Sequence, residues 1–350
     1  MAASATESAF PCSARAIARR IACKVAAATC GRLLRSPGVK VVALAGGVGA
    51  GKFLRGLVRA VDPRDVTVIV NTGDDVDVHG LRVCPDLDSV TYWLGDVSDR
   101  ERGWGRRDES FRALEELRRF DPGSAWFGLG DLDLATHLFR TDHLLEGRSL
   151  SEATARIAAR FGVASRLLPM TDDRVETRID AVSWGREVDL HFQEYWVGRG
   201  ARDDVKAIRF VDADRARPAP GVLEAIHEAD AVVLCPSNPV VSIGPILAVP
   251  GIRSSVGDRP VVGISPIVGG RPLAGMADRL MPVVGLEVSA VGAGRAYAGL
   301  LDGWVIDRAD AGLADRARAE LGARIAITDT VMHDDAVAEA LAGTALGLLA

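Results

Sequence analysis

Two short stretches hold four aspartates: Asn71-Thr72-Gly73-Asp74-Asp75 and Pro85-Asp86-Leu87-Asp88. Side-by-side carboxylates are costly unless they are paired, solvated or bound to a cation. Taken singly, Asp86 or Asp88 reads first as a cap, because an acid in a first turn faces the positive end of a helix. Upstream lies Gly46-Gly47-Val48-Gly49-Ala50-Gly51-Lys52. A glycine turn that feeds a helix offers bare backbone N–H groups to an anion, with the helix dipole behind them. Acids in two loops near such a turn give the hard-oxygen surroundings that suit magnesium beside a phosphate. Asp74, Asp75 and Asp86 are therefore the metal candidates, and Gly46, Gly47 and Gly49 the phosphate-facing residues.

Known phosphate motifs fit this turn incompletely. Gly46 to Lys52 matches G-x-x-x-x-G-K, but Phe53 stands where a P-loop needs Ser or Thr to hold magnesium. The dinucleotide fingerprint lacks its third glycine at the required spacing. A phosphate seat and a bare strand-to-helix turn both remain open on the motif alone.

The positioning elements follow from periodicity. Val41 to Ala45 is an apolar run of strand length. Phe53, Leu54, Leu57, Val58 and Val61 recur at helical spacing behind the turn. Val66 to Val70 is a second buried strand, and the Asn71–Asp75 loop falls at its carboxyl end, where open α/β sheets bind ligands. Residues 95–123 are patterned as helix, with Phe111, Leu114, Leu117 and Phe120 as the stripe. Trp104 between glycines fits a binding loop or an exposed turn. His137, in the crowded segment Trp126 to Thr141, reads first as a structural histidine. Val175–Ile179 and Val188–Phe192 alternate around a Ser183–Arg186 turn, a β-hairpin. Ala231–Cys235 and Val261–Ser265 are further core strands, followed by loops at Pro236-Ser237-Asn238-Pro239 and Pro266–Arg271. Residues 325–330 supply a last strand. Strand–helix alternation at both ends predicts an α/β fold: a doubly wound, mostly parallel Rossmann-like sheet with an inserted helical and β-hairpin cap. The expected divisions are an extension over 1–38, the sheet domain over 39–135 and 221–350, and the cap over 136–220.

Composition narrows the partners. A net charge of −5 with no free basic stripe disfavours nucleic acid. Five cysteines without a C-x-x-C pair indicate neither a zinc site nor a disulfide framework, which places the chain in the cytoplasm. No apolar run reaches membrane-spanning length. The acid-poor, arginine-rich residues 1–38 suit a targeting peptide or, preferably, a disordered or mis-started extension.

Six motifs occur in order: Gly46-Gly47-x-Gly49, Asn71–Asp75, Pro85–Ser89, Leu129-Gly130-Asp131-x-Asp133-Leu134-Ala135-Thr136-His137, Ser237-Asn238-Pro239 with Ser242–Leu247, and Ser265–Gly270. Together they resemble the 2-phospho-L-lactate transferase family of deazaflavin coenzyme biosynthesis, over about residues 39–332. The resemblance implies a donor made of a guanylylated three-carbon acid, either 2-phospho-L-lactate or enolpyruvyl phosphate. The acceptor is the ribityl hydroxyl of a deazaflavin, GMP leaves, and magnesium is required. It implies a homodimer, and it maps Asp88 to the acid that binds the acceptor, orienting or deprotonating its hydroxyl. Asn71, Thr72, Ser237, Asn238, Ser265 and Gly269 join the glycine turn in holding the donor. Trp104, Trp126 or Phe127 would stack on the acceptor. The related sugar-nucleotide-binding regulators are the rival reading; they follow the aspartates with glycine and serine, where this chain has Val76-Asp77-Val78-His79. Gly128 departs from the basic or amide residue of some relatives, and no fused ligase domain is expected.

Overall fold

The computed structural model describes residues 38–350 except 124. The expectation for 1–38 therefore falls almost wholly outside the described residues.

β1 (Val41–Ala45) leads into α1 (Gly47–Ala60) and β2 (Val66–Val70). A small hairpin, β3 (Val76–Val78) with β4 (Leu81–Val83), precedes α2 (Pro85–Leu94). Next come α3 (Arg112–Phe120), α4 (Asp131–Leu145), α5 (Leu150–Arg160) and β5 (Arg166–Pro169). β6 (Glu176–Ser183), β7 (Arg186–His191) and β8 (Asp204–Val211) form a separate antiparallel sheet in the order β7-β6-β8. The chain continues through α6 (Val222–Glu228), β9 (Ala231–Leu234), α7 (Gly244–Ala248), α8 (Ile252–Gly257) and β10 (Val261–Ile264). It closes with the short ladder of β11 (Ile267–Val268) and β12 (Arg271–Pro272), α9 (Ala277–Leu280), α10 (Ala290–Arg295), β13 (Gly303–Asp307), α11 (Ala314–Leu321), β14 (Arg324–Thr328) and α12 (Asp335–Gly347).

The central sheet is parallel throughout and runs β14-β13-β10-β9-β1-β2-β5. Counted along the chain this is the doubly wound order, which reverses between β1 and β9. Side chains of a strand alternate between its faces. Val42 and Leu44 accordingly enter one core with Val232, Leu234 and the antiparallel sheet's Ile179 and Leu190. Val41, Ala43 and Ala45 enter the other with Phe53, Leu54, Leu57 and Leu341. Burial on both faces explains why β1 is uniformly apolar. No helix among the described residues is long and apolar enough to cross a membrane.

Several expectations need correction. The glycine stretch is no loop: α1 starts at Gly47. Gly51 and Gly56 lie inside it at contacts too close for a side chain, where a Cβ would come 2.5 Å from the Trp93 ring and 2.1 Å from the Ala338 backbone. Tertiary contact here overrides the roughly 1 kcal/mol cost of each helical glycine. Within 95–123 only Arg112–Phe120 is helical. The stretch 136–220 is not a single insertion, because its residues 166–169 form the edge strand of the central sheet beside β2. The hairpin is present, with β8 as a third strand.

Candidate functional site

The reversal point of the sheet gathers most of the expected site. Gly46 caps α1, and Gly47 adopts φ +73, a left-handed conformation that glycine takes without strain. A Cβ on Gly46 would sit 2.6 Å from Asp86 Oδ2 and 2.7 Å from Ser242 Cβ; one on Gly49 would sit 2.5 Å from the Pro236 carbonyl oxygen. The start of α1, the start of α2 and the loop after β9 thus touch because these positions carry no side chain. Lys52 points elsewhere, with its ammonium 5.8 Å from the Trp93 ring.

Asn71 fastens the same loops. Its Nδ2 donates to Asp86 Oδ2 at 2.9 Å and to the Val241 carbonyl at 3.2 Å, and its Oδ1 accepts the Gly73 N–H at 2.9 Å. The Thr177 N–H donates to the Gly73 carbonyl, which ties the antiparallel sheet to this rim.

The acids are buried, and burial disfavours their charged forms. Burial raises Asp74 well above the usual carboxylate range; the neighbouring Asp86 raises it further. Asp86 rises to about 6, again through burial, restrained by hydrogen bonds from Asn71 and the Gly47 N–H. Burial lifts Asp75 to about 7 against the Cys84 thiol, which donates to Asp75 Oδ2 at 2.9 Å. One oxygen each of Asp74 and Asp75 is buried without a partner.

Among the described residues no three His, Cys, Asp or Glu side chains converge to cage a metal. Asp74, Asp75 and Asp86 are therefore not one ready ligand set: Asp75 turns to Cys84, and Asp74 faces the like charge of Asp86. Magnesium bound with substrate phosphates takes one or two carboxylates and fills the rest with phosphate and water. The orphaned Asp74 oxygen and the like-charged Asp74–Asp86 pair fit such an ion.

Asp88 lies two residues beyond Asp86 in the first turn of α2, so it faces the opposite side of the helix and is engaged from there. Arg140 of α4 is 1% exposed and donates to both Asp88 oxygens, with Nη1–Oδ2 at 3.2 Å and a tighter contact from Nη2 to Oδ1; Nη1 also reaches the Arg82 carbonyl. Burial opposes the Arg140 charge, but the Asp88 carboxylate more than compensates and raises its pKa. His137 Nδ1 lies 3.6 Å from Asp88 Oδ2. Burial lowers His137 to about 4, so it is neutral near pH 7 and serves as a structural neighbour.

The remaining predicted residues divide. The hydroxyls of Thr72 and Ser237 are buried and unpartnered, hence free for a ligand. Asn238 Oδ1 is occupied by the Val240 and Val241 N–H groups. Ser265 is buried in a local turn with Ile267, and the Gly269 N–H donates to Asp310 Oδ2 at 3.0 Å. Both follow β10, which is separated from β1 by β9, so they share the rim but not the reversal point. The sequence reading missed Arg140 and Cys84 as partners of the acids. It also gave Asp133 no role: this carboxyl is 8% exposed and raised to about 7 by burial. The one available signal was a cluster of acids, each needing a counter-charge or a proton.

Comparison with known proteins identifies the family and the fold. A family model described as 2-phospho-L-lactate transferase CofD matches residues 41–344. A protein of Streptomyces griseus named phosphoenolpyruvate transferase is 50% identical over 313 residues, covering 89% of this chain and 98% of that one. One of the same name from Thermobifida fusca is 47% identical over 319 residues, again 89% and 98%. Among solved structures, a UPF0052-family protein of Bacillus halodurans shares the fold, with TM-score 0.55 and 19% identity over 88% of this chain and 99% of that one.

Proposed function

This chain belongs to the 2-phospho-L-lactate transferase CofD family, and from that premise we propose that it transfers an enolpyruvyl phosphate group from a guanosine diphospho donor to the ribityl hydroxyl of a deazaflavin, releasing GMP. The enolpyruvyl donor is preferred over phospholactate because the similar relatives are named phosphoenolpyruvate transferases.

The observation that carries the reading is the packing of the Asp86 carboxylate against Gly46 and the Gly47 N–H at the sheet's reversal point. There the start of α1 supplies main-chain N–H groups and a positive dipole end to the donor's diphosphate. The free hydroxyls of Thr72 and Ser237 add donors from the loops after β2 and β9. Asp74 and Asp86 would hold magnesium, whose charge would offset that of the diphosphate. Asp88, fixed by Arg140, keeps lone pairs available to accept and orient the attacking hydroxyl. This assigns Asp88 to positioning, the main requirement of phosphoryl-type transfer.

The test is to incubate the purified protein with deazaflavin, magnesium and either the enolpyruvyl or the lactyl donor, and to weigh the products. Acceptor carrying enolpyruvyl phosphate, formed with one GMP, supports the proposal. Product from the lactyl donor alone refutes the donor choice, and no acceptor product from either donor refutes the transfer.

A further inference from the structure

Trp104 is 44% exposed and belongs to no core cluster, yet it is held in place. Its loop is closed by backbone hydrogen bonds, from Asp99 N–H to the Gly105 carbonyl at 3.1 Å, Gly103 N–H to Asp99 at 2.9 Å and Arg107 N–H to Val97 at 2.8 Å. The indole lies over Gly128, where a Cβ would come 3.2 Å from its Cη2. The Arg102 guanidinium is 5.1 Å from the ring, and Phe111 meets it edge-on at 6.3 Å. A half-exposed aromatic ordinarily folds onto its neighbours to shed apolar surface; this one keeps its exposure while pinned from below.

A second observation points to a ligand. Gly105, next to the indole, faces Asp133, where a Cβ would be 3.7 Å from Oδ2. Asp133 stands in the first turn of α4 but does not cap it, since Glu109 accepts the Leu132 and Asp133 N–H groups. Its Oδ1 is buried with no hydrogen-bond partner, while the carboxyl interacts with the Tyr92 hydroxyl on its core side. It also lies within electrostatic reach of Asp88. Of the other aromatics near the acids, Trp126 and Phe127 pack on Val76, Val78, Val83 and Leu129, and Trp93 is in the core; Trp184 and Trp196 are exposed too, but Trp184 lies at the turn between β6 and β7 and Trp196 just after β7.

We propose that Trp104, seated on Gly128, is the platform on which the flat ring system of the acceptor stacks, with Asp133 offering it a hydrogen-bonding carboxyl. The assignment rests on the deazaflavin acceptor proposed above. It makes Trp104 a specificity-determining residue and gives Gly128 a role through contact with the indole: a side chain there starts 3.2 Å from Cη2 and presses on the ring.

Deazaflavin fluorescence titration of the full chain in magnesium tests this with four proteins: wild type, Trp104→Ala, Trp104→Phe and Gly128→Val. Stacking on one aromatic residue accounts for roughly tenfold or more in affinity. Trp104→Ala and Gly128→Val are expected to weaken acceptor binding by about that factor. Trp104→Phe should retain most of it, and guanosine diphosphate affinity should be unchanged in all four. Wild-type acceptor affinity in Trp104→Ala overturns the proposal. So does equal loss in the Ala and Phe variants, or a parallel loss of guanosine diphosphate binding, either of which marks a structural role. A wild type that binds no deazaflavin refutes the acceptor itself, and the platform with it.

Discussion

Gly49→Ala is the sharpest perturbation of the reversal point. In an unconstrained helix the change stabilises by about 1 kcal/mol. Here the added methyl would start 2.5 Å from the Pro236 carbonyl oxygen. Reaching the ~3.3 Å of a close C–H···O contact requires a relative backbone movement of about 0.8 Å. Neither side yields cheaply: Gly49 is fixed in α1, and the Pro236 loop is tied by the Ser237 N–H to the Cys235 carbonyl at 2.7 Å. Overpacking of this kind costs about 1–3 kcal/mol, so the net effect is destabilisation of about 0–2 kcal/mol. Gly343→Ala in α12 is the matched control, since nothing lies within 4 Å of its Cβ position. It should deliver the full gain of about 1 kcal/mol. Urea unfolding of both variants, with guanosine diphosphate titration of each, reads the comparison. Gly49→Ala is expected to be about 1–3 kcal/mol less stable than Gly343→Ala and to bind the nucleotide at least tenfold more weakly, roughly 1.4 kcal/mol, because the Ser237 loop is displaced. If Gly49→Ala stabilises as much as Gly343→Ala and binds normally, α1 and the β9 loop do not meet as described.

Breaking the buried Asp88–Arg140 pair by Arg140→Met should cost about 3–5 kcal/mol, because a desolvated carboxylate loses its counter-charge; the double variant with Asp88→Asn should recover part of that loss in urea unfolding, and strict additivity would refute the pairing. Asp133 titrates near 7 in the folded protein, against about 4 for an ordinary aspartate. Its folded pKa is raised, so its contribution is fully present below about pH 4 and is lost as pH climbs to about 7. Asp133→Asn should therefore gain on the wild type by a few kcal/mol between pH 4 and pH 8, measured by thermal unfolding across pH; a difference independent of pH would place Asp133 in a solvated setting.

The sequence made some of this architecture legible and hid the rest for physical reasons. β1, β2, β9 and β10 announce themselves because burial on both faces demands apolar runs. β13 was passed over: Gly303-Trp304-Val305-Ile306-Asp307 opens on glycine and ends on an acid, so the run is too brief to stand out. The start of α1 was misplaced because glycines argue against helix, while their reason, contact with Trp93, Pro236 and Ala338, is long-range. Asp74, Asp75, Asp86 and Asp88 were recognisable as a group from residue type and spacing. Their division into an Asp74–Asp86 pair, an Asp75–Cys84 contact and an Asp88–Arg140 bridge depends on α4 folding back over α2, which no local pattern encodes. Arg140 in particular reads in sequence like any helical arginine.

The most direct measurement of the central claim is calorimetric titration of guanosine diphosphate into the wild type, Asp74→Asn and Asp86→Asn, each in magnesium and in chelator. The account predicts tight binding only for the wild type in magnesium, with chelation and either substitution weakening it at least tenfold while the proteins remain folded. Equal affinity in chelator, or in both variants, would contradict a cation-bridged diphosphate at the start of α1.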